Sequence, residues 1–221
     1  MNTIPNARQF AVLGLGRFGS ALARQLYALG KEVLAVDTDE QKVDDIAEYV
    51  THAMAVDCLD EPAMRQIGLE NFDVVIVGVG EMETSILATL ICKEIGVKYV
   101  VSKAQSVQHR KVLEKIGADM VVFPEMEAGC KLGNLLASPT VVELAEIAPN
   151  FKVVEVEVPS VWADKSLTEL KIRQKYLLTV LMVSRGGKIT TSPSGEFILQ
   201  ANDKIVLCGE HKDLVKFSKT V

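Results

Sequence analysis

Six short apolar segments alternate with stretches of helical length over residues 9–123, and this alternation restricts the fold more than any other feature of the sequence. Each segment is nearly continuously apolar and rich in β-branched residues, as expected of strands covered on both faces. Strands and helices that alternate in this way predict a parallel, doubly wound α/β sheet. The predicted strands are Gln9–Leu13, Glu32–Val36, Ala53–Val56, Val74–Val77, Tyr99–Ser102 and Met120–Phe123. The predicted helices occupy residues 17–29, 40–49, 60–67, 82–95, 106–116 and 125–137.

The pattern changes after residue 137, where Ser138-Pro139 interrupts the last helix. A second short helix is predicted over residues 140–147. The remaining apolar segments are separated by turn signals such as Arg185-Gly186-Gly187-Lys188 and predict a small α+β lobe. We therefore expect an amino-terminal domain over residues 1–137, a linker or crossover over 138–150 and a carboxyl-terminal domain over 151–221. The predicted strands of that lobe are Val153–Val158, Thr179–Ser184, Lys188–Ser192 and Lys204–Cys208, with helices over 167–175 and 212–219.

The composition is that of an ordinary soluble protein and argues against several classes of function. The chain is 48% hydrophobic and 24% charged, enough to bury a core. No apolar run approaches the roughly 20 residues of a membrane span, and the amino terminus lacks the layout of a secretory signal. A net charge of -5 argues against a nucleic-acid partner. The four cysteines are far apart, which favours reduced thiols in a cytoplasmic protein.

The first predicted strand runs into the loop Gly14–Gly19, which has the glycine spacing of a dinucleotide-binding turn. Gly14 permits the tight turn, Gly16 lets a phosphate approach the backbone, and Gly19 lets the helix pack against the strand. The helix then directs backbone N–H groups at the phosphate. The second strand ends at Asp37, whose carboxylate can bind both ribose hydroxyls and would repel a 2′-phosphate. These features predict a Rossmann-like adenine-nucleotide site that disfavours NADP; a tight turn with a surface aspartate is the alternative.

Arg17 lies directly after the second glycine of this loop, at the start of the first helix. An arginine at a helix amino terminus opposes the helix dipole, which favours a ligand or partner that offsets its charge. An additional guanidinium suits a highly charged phosphate chain better than the two charges of a dinucleotide. The alternative is a solvated arginine.

Residues at four further strand ends are candidates, because ligands of doubly wound sheets bind outside the carboxyl ends of the strands. Asp57-Cys58 could contact adenine, Gly78-Val79-Gly80 allows close approach of a ring or ribose, and Lys103 would offset phosphate charge. Glu125 would repel phosphate unless a divalent cation lay between them, so it is a candidate Mg²⁺ or Ca²⁺ ligand. Each of these positions is also compatible with an ordinary loop residue.

The sequence does not contain a convincing catalytic set. No Ser-His-Asp or Cys-His arrangement can be assembled. His109 lies in the first turn of a predicted helix and could reach a nucleotide, whereas His52 and His211 are predicted to be surface residues. The short carboxyl-terminal lobe lacks the groups that a dehydrogenase needs for its substrate. We therefore expect a binding protein that is not an enzyme.

Four segments, Gln9–Gly19, Glu32–Asp37, Val112–Asp119 and Pro124-Glu125, resemble RCK domains, the regulators of potassium conductance. The resemblance covers nearly the whole chain and is greatest to the cytosolic regulatory subunits of bacterial Ktr and Trk potassium uptake systems. It implies a cytoplasmic homodimer that assembles into an octameric ring beneath a membrane potassium-translocating subunit, at the inner face of the cell membrane. ATP would favour the active ring and ADP the inactive one.

The resemblance also implies a set of nucleotide contacts. Arg17 would contact the terminal phosphates, partly across the dimer, and Asp37 would hold the ribose. Glu125 would share a divalent cation with the γ-phosphate. The other residues implied to line the nucleotide are Gly14, Gly16, Phe18, Gly19, Thr38, Asp39, Asp57, Cys58, Gly78, Val79, Gly80, Lys103, Ala104, Gln105 and His109.

In many members of this family the carboxyl-terminal lobe binds cyclic di-AMP, which shuts uptake down. The residues that would contact it here are Leu167, Arg173, Thr179, Val180 and Pro193. Arg173 would hold phosphate, and the alternative for it is a surface helix arginine. The chain departs from the family pattern at Lys171, where an aspartate or asparagine is common, and at Leu177, which replaces a usual glycine.

Two other interpretations stay open on the sequence. An NAD(H)-binding oxidoreductase or an NADH-sensing subunit would use the same glycines and Asp37, because both ligands share the adenosine half. A redox- or nucleotide-sensing transcription factor would need a basic winged-helix segment, and the sequence shows none.

Overall fold

The structure is a computed structural model that describes residues 6–137, 141–148 and 150–218. Its internal contacts divide the chain into two units, Met1–Glu127 and Ala128–Val221. The strands of the first unit are β1 (Gln9–Leu13), β2 (Glu32–Asp37), β3 (His52–Ala55), β4 (Val74–Val77), β5 (Val100–Lys103) and β6 (Met120–Val122). Its helices are α1 (Arg17–Ala28), α2 (Glu40–Ile46), α3 (Glu61–Gln66), α4 (Met82–Ile95) and α5 (Val107–Lys115), and α6 (Pro124–Ala137) spans the division between the units.

The six strands of the first unit pair in parallel, in the order β3-β2-β1-β4-β5-β6. This confirms the predicted doubly wound sheet, and β1 and β4 have the predicted bounds. The strand order reverses between β1 and β4. Ligands of open parallel sheets bind at such a reversal, beyond the carboxyl ends of the strands. The loop Gly14–Gly19 follows β1 at this position.

Both faces of this sheet are buried, which explains why its strands are apolar throughout. Successive side chains of a strand point to opposite faces, and α3 and α4 cover one face while α1 and α2 cover the other. Buried residues include Leu13, Val36, Val77, Met64 and Cys92 on the first face and Val12, Ala35, Ile76, Ala23 and Ile46 on the second. The expectation of full coverage is wrong for β3, where His52, Met54 and Ala55 are exposed, because β3 is an edge strand.

The second unit contains an antiparallel sheet in the order β10-β9-β11-β8-β7. Its strands are β7 (Val141–Ala148), β8 (Phe151–Glu157), β9 (Thr179–Arg185), β10 (Lys188–Thr191) and β11 (Lys204–Glu210), and its helices are α7 (Leu167–Leu170), α8 (Ile172–Tyr176) and α9 (His211–Ser218). The rings of Trp162, Tyr176 and Phe217 pack together with centroids 5.4–6.0 Å apart. This confirms the predicted α+β lobe.

The short helix predicted over residues 140–147 is wrong, because residues 141–148 form strand β7. The apolar residues of Val141–Ala148 recur at the three- and four-residue spacing of a helix face, so periodicity favours a helix. Antiparallel pairing with β8 decides in favour of the strand. The predicted linker over 138–150 therefore contains a strand of the second sheet. Residues 138–140 and Pro149 of that linker lie outside the described residues.

The helix predicted over residues 167–175 is two helices, because Lys171 adopts a left-handed conformation with φ 49° between α7 and α8. Leu177 ends α8 in the same region, with φ 58°. A side chain with a Cβ is strained there by about 1–2 kcal/mol, and glycine is not. A glycine at position 177 would adopt this backbone conformation without that strain.

Replacing Leu177 by glycine should raise the free energy of unfolding of the second unit by about 1 kcal/mol, because it removes this strain. Little burial is lost, since the Leu177 side chain is 66% exposed. A urea titration followed by the fluorescence of Trp162, the chain's single tryptophan, measures this unit directly. The control is Leu181→Gly in β9, where φ is not positive and glycine should lower stability. A destabilised Leu177→Gly variant would contradict the assignment of strain.

Candidate functional site

The glycine loop packs directly against the loop that follows β4. The N–H of Gly14 donates to the Val36 carbonyl at 2.7 Å, and the N–H of Gly78 donates to the Leu13 carbonyl at 2.7 Å. Gly14 has φ 94°, and a Cβ there would lie 2.9 Å from the backbone nitrogen of Val79. The tight turn predicted for Gly14 is therefore present, and it also permits the two loops to touch.

The other two glycines of the loop have different surroundings. A Cβ at Gly19 would overlap the carbonyl oxygen of Gly14, so the close packing of α1 against the turn requires glycine. A Cβ at Gly16 would have no atom within 4 Å. The backbone at Gly16 thus borders open space at the amino terminus of α1, which is the arrangement that phosphate binding to helix N–H groups requires.

Asp37 is hydrogen-bonded to the glycine loop itself. Its Oδ2 accepts the Leu15 N–H at 2.6 Å, and its Oδ1 accepts the Asp39 N–H at 3.0 Å. Burial would raise the pKa of this carboxyl, but these hydrogen bonds and Lys42 outweigh burial and hold the pKa below its ordinary value. Asp37 is therefore an anion beside the turn. Thr38 and Asp39 follow it, both are exposed, and Asp39 caps α2 through the Gln41 N–H.

Sequence reasoning missed Lys42, which lies in the first turn of α2. Its Nζ is 3.2 Å from Asp37 Oδ1 and 3.6 Å from Asp39 Oδ2. The signal that singled out Arg17, a cation that opposes the dipole at a helix amino terminus, is also present here. Applied to α2, the same argument would have identified Lys42 as a second candidate.

Arg17 and Phe18 begin α1 beyond the glycine turn. Arg17 is exposed, and Phe18 is half-buried against the core face that α1 covers. No carboxylate lies in the first turn of α1 to offset the charge of Arg17. The charge of Arg17 is therefore not offset from within the first turn of α1.

Asp57 and Cys58 follow β3 and Val56, and the two residues have different roles in the fold. Asp57 Oδ1 accepts the Leu59 N–H at 2.9 Å and so closes a turn. Cys58 is buried in the core beside Cys92, and burial raises the pKa of its thiol to about 11. The Cys58 side chain thus packs into the core, which leaves its backbone as the part that could contact a ligand.

The loops after β4 and β5 meet around Gly80. A Cβ at Gly80 would lie 3.9 Å from Nε2 of Gln105, and the backbone N–H of Gln105 donates to Nδ1 of His109 at 3.3 Å. Burial lowers the pKa of His109, and the charge of Glu81 acts in the opposite direction. A neutral ring that accepts at Nδ1 carries its proton on Nε2. Nε2 is buried and has no partner among the described residues.

Lys103 and Glu125 form an ion pair at the ends of β5 and β6. Lys103 Nζ lies 3.2 Å from Glu125 Oε1; the Lys103 side chain is 11% exposed and that of Glu125 is 62% exposed. The backbone N–H of Glu125 and the Lys103 ammonium lower the pKa of Glu125. Ala104, the next residue, is buried. A buried cation and an accessible carboxylate therefore stand together at the carboxyl edge of the sheet.

The residues predicted to hold cyclic di-AMP all lie in the second unit. The Thr168 N–H donates to the Gly195 carbonyl, and the Ser192 N–H donates to the Leu181 carbonyl, both at 2.8 Å. These bonds hold the loop that contains Pro193 next to α7 and β9, where Leu167, Thr179 and Val180 lie. Arg173 is exposed on α8.

Neither a metal-ligand cluster nor a membrane-spanning helix is present among the described residues. They contain no cluster of three or more His, Cys, Asp or Glu side chains that could hold a metal ion. Glu125 belongs to no such cluster among these residues. Within the same residues, no helix combines the length and apolar character needed to cross a bilayer.

Two family models match the chain. The TrkA-N domain matches residues 10–124, and the TrkA-C domain matches residues 153–221. Ktr system potassium uptake protein A of Bacillus subtilis (strain 168) is 38% identical over 98% of this chain and 98% of its own length. Ktr system potassium uptake protein C of the same organism is 39% identical over 97% of each chain.

Two solved structures resemble the chain in fold. The crystal structure of the GsuK RCK domain has a TM-score of 0.57 at 24% identity, over 98% of this chain and 47% of that one. The crystal structure of GsuK bound to ADP has a TM-score of 0.52 at 27% identity, over 58% of this chain and 34% of that one. The TM-scores show that the fold is shared, and the chain spans less than half the length of either of these two proteins.

Proposed function

The chain belongs to the family of Ktr and Trk potassium uptake proteins that join a TrkA-N to a TrkA-C domain, and from this premise we propose that it is a nucleotide-gated regulatory subunit of a potassium transporter. ATP favours the active form and ADP the inactive form. The protein works in the cytoplasm as a homodimer that assembles into an octameric ring, at the inner face of the membrane beneath a potassium-translocating subunit. It has no enzymatic activity of its own.

The observation that carries the proposal is the bond between Asp37 Oδ2 and the Leu15 N–H, at 2.6 Å. It holds the Asp37 carboxylate, proposed to bind ribose, against the glycine turn proposed to bind phosphate. Open space at Gly16 and the exposed guanidinium of Arg17 lie on the same turn. A preorganised site of this kind loses little entropy when it binds an adenosine phosphate.

The charges around the phosphate position support a tri- or diphosphate ligand. Arg17 lies on one side of the strand reversal, and Lys103 with Glu125 lies at the ends of β5 and β6. Glu125 would hold Mg²⁺ or Ca²⁺ together with the terminal phosphate, and the cation would screen the repulsion between the two anions. ATP and ADP then differ in their interactions with the protein, as any ligand that shifts a conformational equilibrium must.

Cyclic di-AMP is proposed as a second, inhibitory ligand at the carboxyl-terminal unit. Support comes from the hydrogen bonds that hold the Pro193 loop beside α7 and β9, which bring Leu167 and Val180 near one another. Arg173 would bind its phosphate. The strained backbone at Lys171 and Leu177 lies within this segment, and strained residues are frequent at ligand sites.

Calorimetry with the full-length protein tests the nucleotide assignment. ATP, ADP and NADH are titrated at equal concentration, and ATP and ADP should bind more tightly than NADH. A preference for NADH would instead support an NADH-sensing subunit, since the adenosine half of NAD fits the same glycines and Asp37. Turnover of a hydroxy or carbonyl substrate with NADH would contradict the regulatory role. Potassium flux through the co-expressed membrane partner, measured in vesicles loaded with ATP or with ADP, tests the gating itself.

A further inference from the structure

Lys42 occupies a position from which its ammonium reaches the carboxylate expected to bind ribose. The helix α2 that carries it is anchored by the buried side chains of Val43 and Ile46. The Lys42 Nζ is 3.2 Å from Asp37 Oδ1. The Lys42 side chain is 44% exposed and that of Asp37 is 10% exposed, so the ammonium covers the accessible edge of the carboxylate.

The hydrogen bonds of Asp37 limit how a ribose can bind. A carboxylate has about four lone-pair sites. The Leu15 N–H occupies one on Oδ2, and the Asp39 N–H and the Lys42 ammonium occupy two on Oδ1. The oxygen Oδ1 cannot accept a ribose hydroxyl at full strength while Lys42 holds its present contact. One site on Oδ2 stays open for the first of the two ribose hydroxyls, so the second must enter between Asp37 Oδ1 and the Lys42 ammonium.

A hydroxyl group satisfies both neighbours at once, because it donates one hydrogen bond and accepts others. Its hydrogen would point to Asp37 Oδ1, and its oxygen would accept from the Lys42 ammonium. A 2′-phosphate would not fit in this way, because Asp37, Asp39 and Lys42 together carry a net charge of about −1. A 2′-deoxyribose has no such hydroxyl, so it would leave the ion pair between Asp37 and Lys42 as it is.

We propose that Lys42 determines selectivity for a ribose 2′-hydroxyl, by donating to the 2′-oxygen while Asp37 accepts its proton. This inference rests on the proposed nucleotide site and adds a residue to it. Lys42 opposes the dipole of α2, so helix stability does not account for its position. If Lys42 only neutralised Asp37, its removal would change the affinity for all adenosine phosphates by the same factor. Removal of a 2′-hydroxyl contact would instead change the ratio between ribose and deoxyribose ligands.

The test is a two-by-two comparison by calorimetry on the full chain. ADP and 2′-deoxy-ADP are titrated into the wild type and into Lys42→Met. The wild type should bind ADP about 100-fold more tightly than 2′-deoxy-ADP, because the hydroxyl makes two charge-assisted hydrogen bonds of about tenfold each. In Lys42→Met this ratio should fall to about tenfold, because only the bond to the Asp37 carboxylate is then lost with the hydroxyl.

Two further variants sharpen the comparison. Lys42→Arg retains a cationic donor and should keep most of the wild-type ratio. Lys98→Met is the control. Lys98 is an exposed lysine that precedes β5, at the amino ends of the strands, and its Nζ is 3.9 Å from Asp73 Oδ1. Its loss should change the affinity for neither ADP nor 2′-deoxy-ADP. An equal loss for both nucleotides in Lys42→Met, or an unchanged ratio, would overturn the inference alone. If the wild type bound neither nucleotide, the proposed function would fail together with it.

Discussion

Replacing Gly19 by alanine should lower the free energy of unfolding of the amino-terminal unit by about 3 kcal/mol. The added methyl group would overlap the carbonyl oxygen of Gly14, which belongs to the backbone and cannot rotate away. Gly14 is itself held, because its N–H donates to the Val36 carbonyl and the Val79 backbone lies where a Cβ of residue 14 would be. Helix propensity predicts the reverse, since alanine is favoured over glycine inside a helix by about 1 kcal/mol. The steric cost is larger than this gain.

Hydrogen exchange of the β1 and β4 amides in the intact protein measures this loss of stability. Trp162 lies in the other unit, so its urea transition should stay unchanged and serves as an internal reference.

The matched control is Gly16→Ala. Gly16 has φ -68° and open space around its missing Cβ, so alanine should change stability by less than about 0.5 kcal/mol. Gly16→Ala should still weaken ADP binding, because its methyl group would enter the space that we propose phosphate occupies. Equal protection of the β1 amides in Gly19→Ala and the wild type would refute the packing argument.

Replacing Arg17 by alanine should weaken ATP binding about 30-fold and ADP binding only about threefold. The guanidinium is proposed to contact the terminal phosphates, so the ligand with the longer chain loses more. The folded structure should be unaffected, because Arg17 is exposed and opposes the dipole of α1. Removal of this cation even favours the free helix slightly.

Calorimetry on Arg17→Ala with both nucleotides gives the two affinities, and potassium flux gives the consequence for gating. The expected outcome for flux is loss of the difference between vesicles loaded with ATP and with ADP. Arg65→Ala is the control, since Arg65 is an exposed arginine that pairs with Glu61 on α3. Unchanged ATP affinity and unchanged flux in Arg17→Ala would remove the phosphate role from this residue.

In the carboxyl-terminal lobe, two elements differ from those that the sequence patterns predict. The apolar spacing of Val141–Ala148 favours a helix, but antiparallel pairing with β8 makes it a strand. The single helix predicted over 167–175 fails for a similar reason. Lys171 adopts a left-handed conformation, which side-chain periodicity does not record.

In the candidate nucleotide site, the sequence patterns likewise identify some residues and miss others. The glycine spacing, the acid at Asp37 and the cation at Arg17 are visible in the sequence, because each follows from a local requirement of a strand, a turn or a helix end. The contact of Lys42 with Asp37 is not visible in this way. It depends on the rotation of α2 about its axis, which the burial of Val43 and Ile46 sets.

The sequence by itself determined the parallel sheet, its strand bounds to within about one residue and the family, because these depend on periodic apolar patterns and local turn chemistry. The tertiary structure alone decided which face of each element is covered. It made β3 an exposed edge and packed the Cys58 thiol into the core. It also left His109 Nε2 without a partner among the described residues. These outcomes depend on packing between segments far apart in the chain. Local sequence patterns do not indicate which side chains from distant segments will come into contact.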